Sequence, residues 1–215
     1  MKERPILFSA PMVRALLAGT KTQTRRVYKA RNGGIWPNHN DLPGMRQILR
    51  NSPHGQPGDR LWVRETWGYI DPDNSGYEIE TGPGAHFAPE LMQEGHALRD
   101  FWRRRVAYRA TWKEPTYGVG PDAPGRWRSS IHMPRWASRI LLEITSVRVE
   151  RLQDINEADA KAEGVELSYD RDRMRGGTWK GGYRMLWESI NGPGSWDANP
   201  WVWVLEFKRV EGGAQ

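Results

Sequence analysis

The chain contains no cysteine. That excludes a disulfide framework and every thiolate-ligated metal site, and it fits a reducing compartment. Histidine is scarce. His39, His54, His86, His96 and His132 form no i, i+4 pair and no cluster at ligand spacing, so no metal is inferred. No Gly-rich phosphate fingerprint follows a strand pattern, which removes support for a dinucleotide fold, and no cofactor is expected. Long apolar runs are also missing. Nothing reaches the roughly 18 apolar residues of a membrane span, and the opening "MKERPILFSAP" lacks the apolar stretch of a signal peptide. A soluble, cytoplasmic protein with no membrane partner is the expectation.

What is present is basic charge and tryptophan. The 215 residues suit one domain, or one domain with insertions. A formal net charge of +6 makes a polyanion, nucleic acid or nucleotide, a natural partner. Of the 12 tryptophans, several fall in strand-like segments and read as core. Trp36, Trp102, Trp127 and Trp196 lie in Gly-, Pro- or Arg-rich surroundings; covering a small core is favoured over stacking on bases.

Residues 9–19 read as a short helix. Ser9 caps it, Pro11 sits in the first turn, Met12, Val13, Leu16 and Leu17 form its apolar face, and Gly19 stops it. Residues 31–59 are Gly/Pro/Asn-rich and read as loop. "GDRLWVRETW" (58–67) reads as a turn feeding a strand, with Leu61, Val63, Glu65 and Trp67 on one side. "RRVAYRAT" (104–111) is a second strand. "RILLEITSVRVERL" (139–152) is the strongest; its alternation slips after Ile144 and resumes at Val147, the mark of a β-bulge. "INEADAKAEGV" (155–165) predicts a helix capped by Asn156 and ended by Gly164. Residues 168–182 are charged, Gly-rich and expected to be mobile. A helix over 183–192 places Tyr183, Leu186, Trp187 and Ile190 on one face. The final strand alternates Trp201, Trp203, Leu205 and Phe207 with Val202, Val204, Glu206 and Lys208. About five strands and three short helices predict an α+β fold: a small mixed β-barrel with peripheral short helices and long loop insertions. Without further information "KTQTRR" (21–26) reads as a solvated turn. Glu65 shares a face with apolar residues, so it needs a buried partner; Arg64 points the other way, and Arg26 is the candidate.

Together these segments resemble the ASCH family, which is related to PUA domains. The matching features are "LLAGTKTQTRR", "GDRLWVRE", "ILLEITSVRVERLQDINEADAKAEGV" and the terminal "WVWVLEFKRV". The family hallmark G-x-K-T-x-T-x-R reads here as Gly19, Lys21, Thr22, Thr24 and Arg26. "HMPRWASR" and "GSWDANPWVWV" resemble ASCH proteins of phages and prophages. The resemblance implies a single PUA-like domain over 1–210, with insertions near 31–57, 70–100, 113–135 and 168–182. It also implies an activity seen in some relatives, hydrolysis of N4-acetylcytidine to cytidine and acetate. The catalytic set it implies is Lys21, Thr24 and Glu163. Thr22, Arg26, Arg64, Glu65, Trp67 and Tyr183 are the candidates for binding substrate.

The chemistry sets conditions on that reading. A threonine hydroxyl needs a base within about 2.6–3.2 Å. An ordinary lysine is protonated at neutral pH, and burial or nearby Arg25 and Arg26 would release its proton more easily. On a straight strand Lys21 and Thr24 face opposite ways, so the chain must turn after Gly19. Glu163 lies at a helix C-terminus, where the dipole raises a carboxyl pKa and a close Lys21 opposes the rise. In the proposed scheme Thr24 attacks the acyl carbon, Lys21 takes its proton, Glu163 orients Lys21 or shuttles a proton, and Arg26 binds the oxyanion. Two other readings compete. One is an RNA- or modified-base-binding module or ribonuclease, with Lys21 and Arg26 on phosphate and Trp67 or Tyr183 stacking. The other is a phage accessory protein that binds a host component through its insertions. A modified nucleoside or RNA is the expected partner; the oligomeric state is not set by the sequence.

Overall fold

The computed structural model describes residues 1–30, 37–38, 40–69, 106–112, 127–167 and 177–210. Trp36, Trp102 and most of the expected insertions lie outside these residues. The strands are β1 (Glu3–Leu7), β2 (Gln23–Val27), β3 (Arg60–Arg64), β4 (Trp67–Tyr69), β5 (Val106–Tyr108), β6 (Leu141–Arg151) and β7 (Trp201–Arg209). The helices are α1 (Ala10–Leu17), α2 (Leu42–Arg50), α3 (Glu157–Ala162) and α4 (Trp179–Asn191).

Five strands form one mainly antiparallel sheet in the order β1-β3-β6-β7-β2, and β4 pairs with β5. The Arg60 N–H donates to Lys2 O and the Phe8 N–H to Arg64 O, so β1 and β3 run in the same direction. The fold is therefore α+β, as expected, but the barrel is not closed. Among the described residues the edge strands β1 and β2 do not meet, and the two strands that could bridge them, β4 and β5, pair with each other. The residues group into two compact units. One comprises Met1–Arg4, Ala15–Leu61 and Leu141–Gly213; the other comprises Pro5–Arg14 and Trp62–Ile140. No helix among the described residues is long and apolar enough to cross a membrane.

The expected bulge is present: the β6–β7 register shifts between Ile144 and Ser146. The final strand is buried on both faces, which its near-continuous "WVWVL" run reflects. Val202 and Val204 pack with Leu152, Ile155, Tyr183, Trp187 and Trp196 beneath α3 and α4. Trp203 and Val149 pack on the other face with Ile48 of α2.

Two local expectations need correction. The stretch 31–59 is not all loop, because it contains α2. Pro43 and Gly44 look like breakers, but Pro43 falls in the first turn, where no N–H is needed. Gly44 donates its N–H to the Asp41 cap at 3.0 Å, and a Cβ there would lie 2.0 Å from Asp41 Oδ2. Residues 179–182 belong to α4, which starts one turn early because Thr178 accepts the Gly181 N–H.

His54 sits edge-on to Trp203, with ring centroids 6.3 Å apart. Burial, and then the charges of Arg26 and Arg4, lower its pKa to about 4. The unfolded chain takes up this proton first as pH falls, so the stability tied to neutral His54 is lost between about pH 6.5 and 4. Denaturant titrations across that window should show the wild type losing about 2 kcal/mol more than a His54→Gln variant.

Candidate functional site

The site begins where α1 ends. Gly19 adopts φ 73°, and the N–H groups of Thr20 and Lys21 both donate to Ala15 O. The chain turns between Gly19 and Lys21, ahead of the strand that carries Thr24. This turn delivers Lys21 to an isolated antiparallel bridge with Glu163, 142 residues away in the chain. The Thr22 N–H donates to Ala162 O, and Thr22 O accepts from Phe207 N–H. These bonds hold the segment between α3 and β7. Asn156 caps α3 through the Asp159 N–H at 2.8 Å, and Glu163 follows its last residue. Gly164, at φ 75°, ends the turn; a Cβ there would lie 2.7 Å from Lys21 Cβ and 2.9 Å from Ala15 Cβ. Glycine is required for both backbone conformation and space.

Lys21 Nζ donates to Glu163 Oε2 at 2.9 Å, to Glu163 O at 2.8 Å and to Gln23 O at 2.8 Å. Three acceptors match the three protons of an ammonium. Its side chain is 0% exposed and that of Glu163 2%. Burial lowers the Lys21 pKa, Glu163 opposes the change, and Arg26 and Arg25 add to it. The ammonium lies against the carbonyl of the peptide group that joins Gln23 to Thr24. Thr24 itself is buried, and among the described residues no hydrogen bond joins its hydroxyl to Nζ.

The β2–β7 register fixes the directions of the neighbours. Thr24 pairs with Leu205 and Arg26 with Trp203, so both project from one face of the sheet. Arg25 pairs with Val204 and projects from the other. There its guanidinium reaches Glu163 Oε1 at 3.2 Å, Glu150 Oε1 at 2.5 Å and Asp159 Oδ2 at 3.1 Å. Arg148 joins the cluster through Glu150, Asp159 and Glu206. The Arg26 pKa is lowered, mainly by burial, while Glu163 opposes.

The remaining candidates are placed differently. Tyr183 is 3% exposed, packs on Trp187 and Trp196, and lies beneath Arg25. Burial, with Glu163 second, raises its pKa well above the usual value. Thr22 is exposed and acts through its backbone. Arg64, Glu65 and Trp67 belong to the second unit. Arg64 stacks on Trp62 with 4.8 Å to the ring centroid and donates to Met133 O. Trp67 is 3% exposed and packs with Val106, Met133 and Ala137. The burial of Trp67 and Tyr183 corrects the stacking role considered for them: both rings are core. Glu65 is buried and paired, as its face predicted, but the partner found is Arg139 rather than Arg26. The contact is bidentate at 2.9 and 3.0 Å, and Arg139 stacks on Tyr108 with 3.9 Å to the ring centroid. Burial raises the Glu65 pKa against the pull of Arg139.

No group of side chains suited to a metal ion occurs among the described residues. No family model, no curated protein and no solved structure matches the chain. The site therefore rests on its own geometry. Sequence reasoning passed over Arg25, Arg148, Glu150 and Asp159 as site residues. For Arg25, Arg148 and Glu150 the signal was a set of charges on the strand face that also carries Val202 and Val204; Asp159 lies on α3.

Proposed function

We propose that the chain is an amidohydrolase that removes an N-acyl group from a modified pyrimidine nucleoside such as N4-acetylcytidine. The observation that carries this reading is the buried Lys21–Glu163 pair, closed at 2.9 Å between two distant segments and set against the peptide group preceding Thr24.

In the resting site Lys21 is an ammonium. Burial makes its proton easier to lose, and Glu163 Oε2 is positioned to receive it. The neutral amine then takes the proton of the Thr24 hydroxyl as the oxygen attacks the acyl carbon. Arg26, on the same strand face as Thr24, is the cation for the developing oxyanion. The carbon–nitrogen bond breaks as the exocyclic nitrogen receives a proton from Lys21, which frees the nucleoside and leaves an acyl ester on Thr24. Water then attacks the ester while Lys21 takes its proton. Lys21 gives that proton to the threonine oxygen as the acyl–oxygen bond breaks, acetic acid leaves and ionises to acetate, and Glu163 returns its proton to the amine.

The test is incubation of the full chain with N4-acetylcytidine and chromatographic detection of cytidine. Stoichiometric release of cytidine and acetate is expected. Absence of turnover, together with RNA binding that weakens steeply with salt, would replace this reading with the binding module.

A further inference from the structure

The Arg25 guanidinium contacts more than a structural ion pair needs. Its Nη2 is already satisfied by Glu150 at 2.5 Å and Asp159 at 3.1 Å. Its Nη1 reaches back to Glu163 Oε1 at 3.2 Å, while Lys21 holds Oε2 of the same carboxylate at 2.9 Å. Each oxygen of Glu163 therefore carries one cation, and the carboxylate cannot rotate without breaking a charge-assisted bond. The Arg25 side chain is wholly buried and lies over the Tyr183 ring, 5.9 Å from its centroid. Arg148 braces the two anchoring acids, donating to Glu150 Oε2 at 3.2 Å and Asp159 Oδ2 at 3.3 Å.

We propose that Arg25 is a positioning residue, which locks Glu163 onto Lys21 and so fixes the amine against the Gln23 carbonyl, next in the chain to Thr24, without touching the substrate. This rests on the acyl-transfer reading above. Strand geometry supplies the mechanical link. Arg25 and Thr24 are chain neighbours on opposite faces of β2, so the clamp on one face holds the backbone that presents the hydroxyl on the other. Electrostatics adds a second link. The charged and titratable groups facing the Lys21–Glu163 pair are Arg25 and Arg26 of β2 and Tyr183 of α4. Behind Arg25 stand Glu150 of β6 and Asp159 of α3, with Arg148 and Glu206 completing the cluster. Removing Arg25 removes a cation that repels the Lys21 proton and loosens the carboxylate that receives it.

The test uses the full chain labelled with ¹⁵N-lysine. The Lys21 amine signal is assigned by its loss in Lys21→Arg and followed against pH in wild type, Arg25→Met and Arg25→Lys. Turnover of N4-acetylcytidine is measured in parallel. In Arg25→Met the Lys21 midpoint should rise, with proton binding about tenfold tighter. Its kcat should fall by at least ~10-fold with KM nearly unchanged. Arg25→Lys should restore most of the midpoint, because it restores the charge. It should not restore kcat, because a single ammonium cannot span Glu163 and the two anchoring acids. Should Arg25→Met fail to fold, the kcat loss at constant KM in Arg25→Lys decides. Wild-type kcat in Arg25→Lys, or an unmoved Lys21 midpoint in a folded Arg25→Met protein, would overturn the proposal. A wild type that releases no cytidine would remove the reaction, and the Lys21 midpoint would then decide the coupling alone.

Discussion

Replacing Glu163 by alanine should cost about 3–5 kcal/mol of folding stability, the usual penalty for breaking a buried ion pair from one side. The size follows from what is left behind. Glu163 Oε2 holds Lys21 and Oε1 holds Arg25, and both cationic side chains are 0% exposed. Neither can reach water when the carboxylate goes. Lys21 keeps its two carbonyl acceptors, and Arg25 keeps Glu150 and Asp159. The ion pair lost at Oε2 is the one that Glu163 makes with Lys21. A Glu163→Ala/Lys21→Met double variant should therefore recover a large part of the loss. Chemical denaturation of the three proteins at neutral pH checks this. A Glu163→Ala cost under about 1 kcal/mol would mark Glu163 as the solvent-facing helix residue that its sequence position alone suggests.

The second large effect concerns turnover. Thr24→Ala should lower cytidine release from N4-acetylcytidine by on the order of 10³-fold or more, as expected when a nucleophile is deleted. Thr24→Ser keeps the hydroxyl and should keep measurable turnover. The fold should survive both changes, because Thr24 lies in β2, whose bonds to β7 are made by the backbone. Far-ultraviolet circular dichroism and the denaturation midpoint separate loss of chemistry from loss of fold.

Local signals in the sequence transferred well where a single residue type fixes the backbone. Gly19 and Gly164 both adopt positive φ at the two helix ends they were expected to close. The slip between Ile144 and Val147 is a register shift on β6. Asn156 caps α3 as its spacing to Asp159 predicts. The α+β class was also readable. Closure of the sheet was not, because it depends on which strand finds which edge, a non-local choice that no motif encodes. The helix α2 was hidden by Pro43 and Gly44, which look like breakers until the Asp41 cap is seen.

The site was legible in part. Lys21 and Glu163, which the sequence singled out, form a buried ion pair at 2.9 Å. Glu65 is buried and paired as its face requires, but with a partner that only the tertiary fold supplies. Arg148 and Glu150 alternate with Val147 and Val149, and Arg25 lies in the "KTQTRR" stretch that reads as a solvated turn. The helices α3 and α4 cover the strand face that carries these charges, and their docking turns surface charges into a balanced interior cluster. Alternation gives direction along a strand; it does not say which face another element will cover.

The central claim is that Thr24 carries the acyl group. Its most direct test is acid quenching of the wild type during turnover of N4-acetylcytidine, followed by peptide mass mapping. An acetyl ester is expected on the peptide that holds Thr24, lost on longer incubation as acetate appears. Cytidine release with that peptide unmodified, and at an undiminished rate in Thr24→Ala, would contradict it.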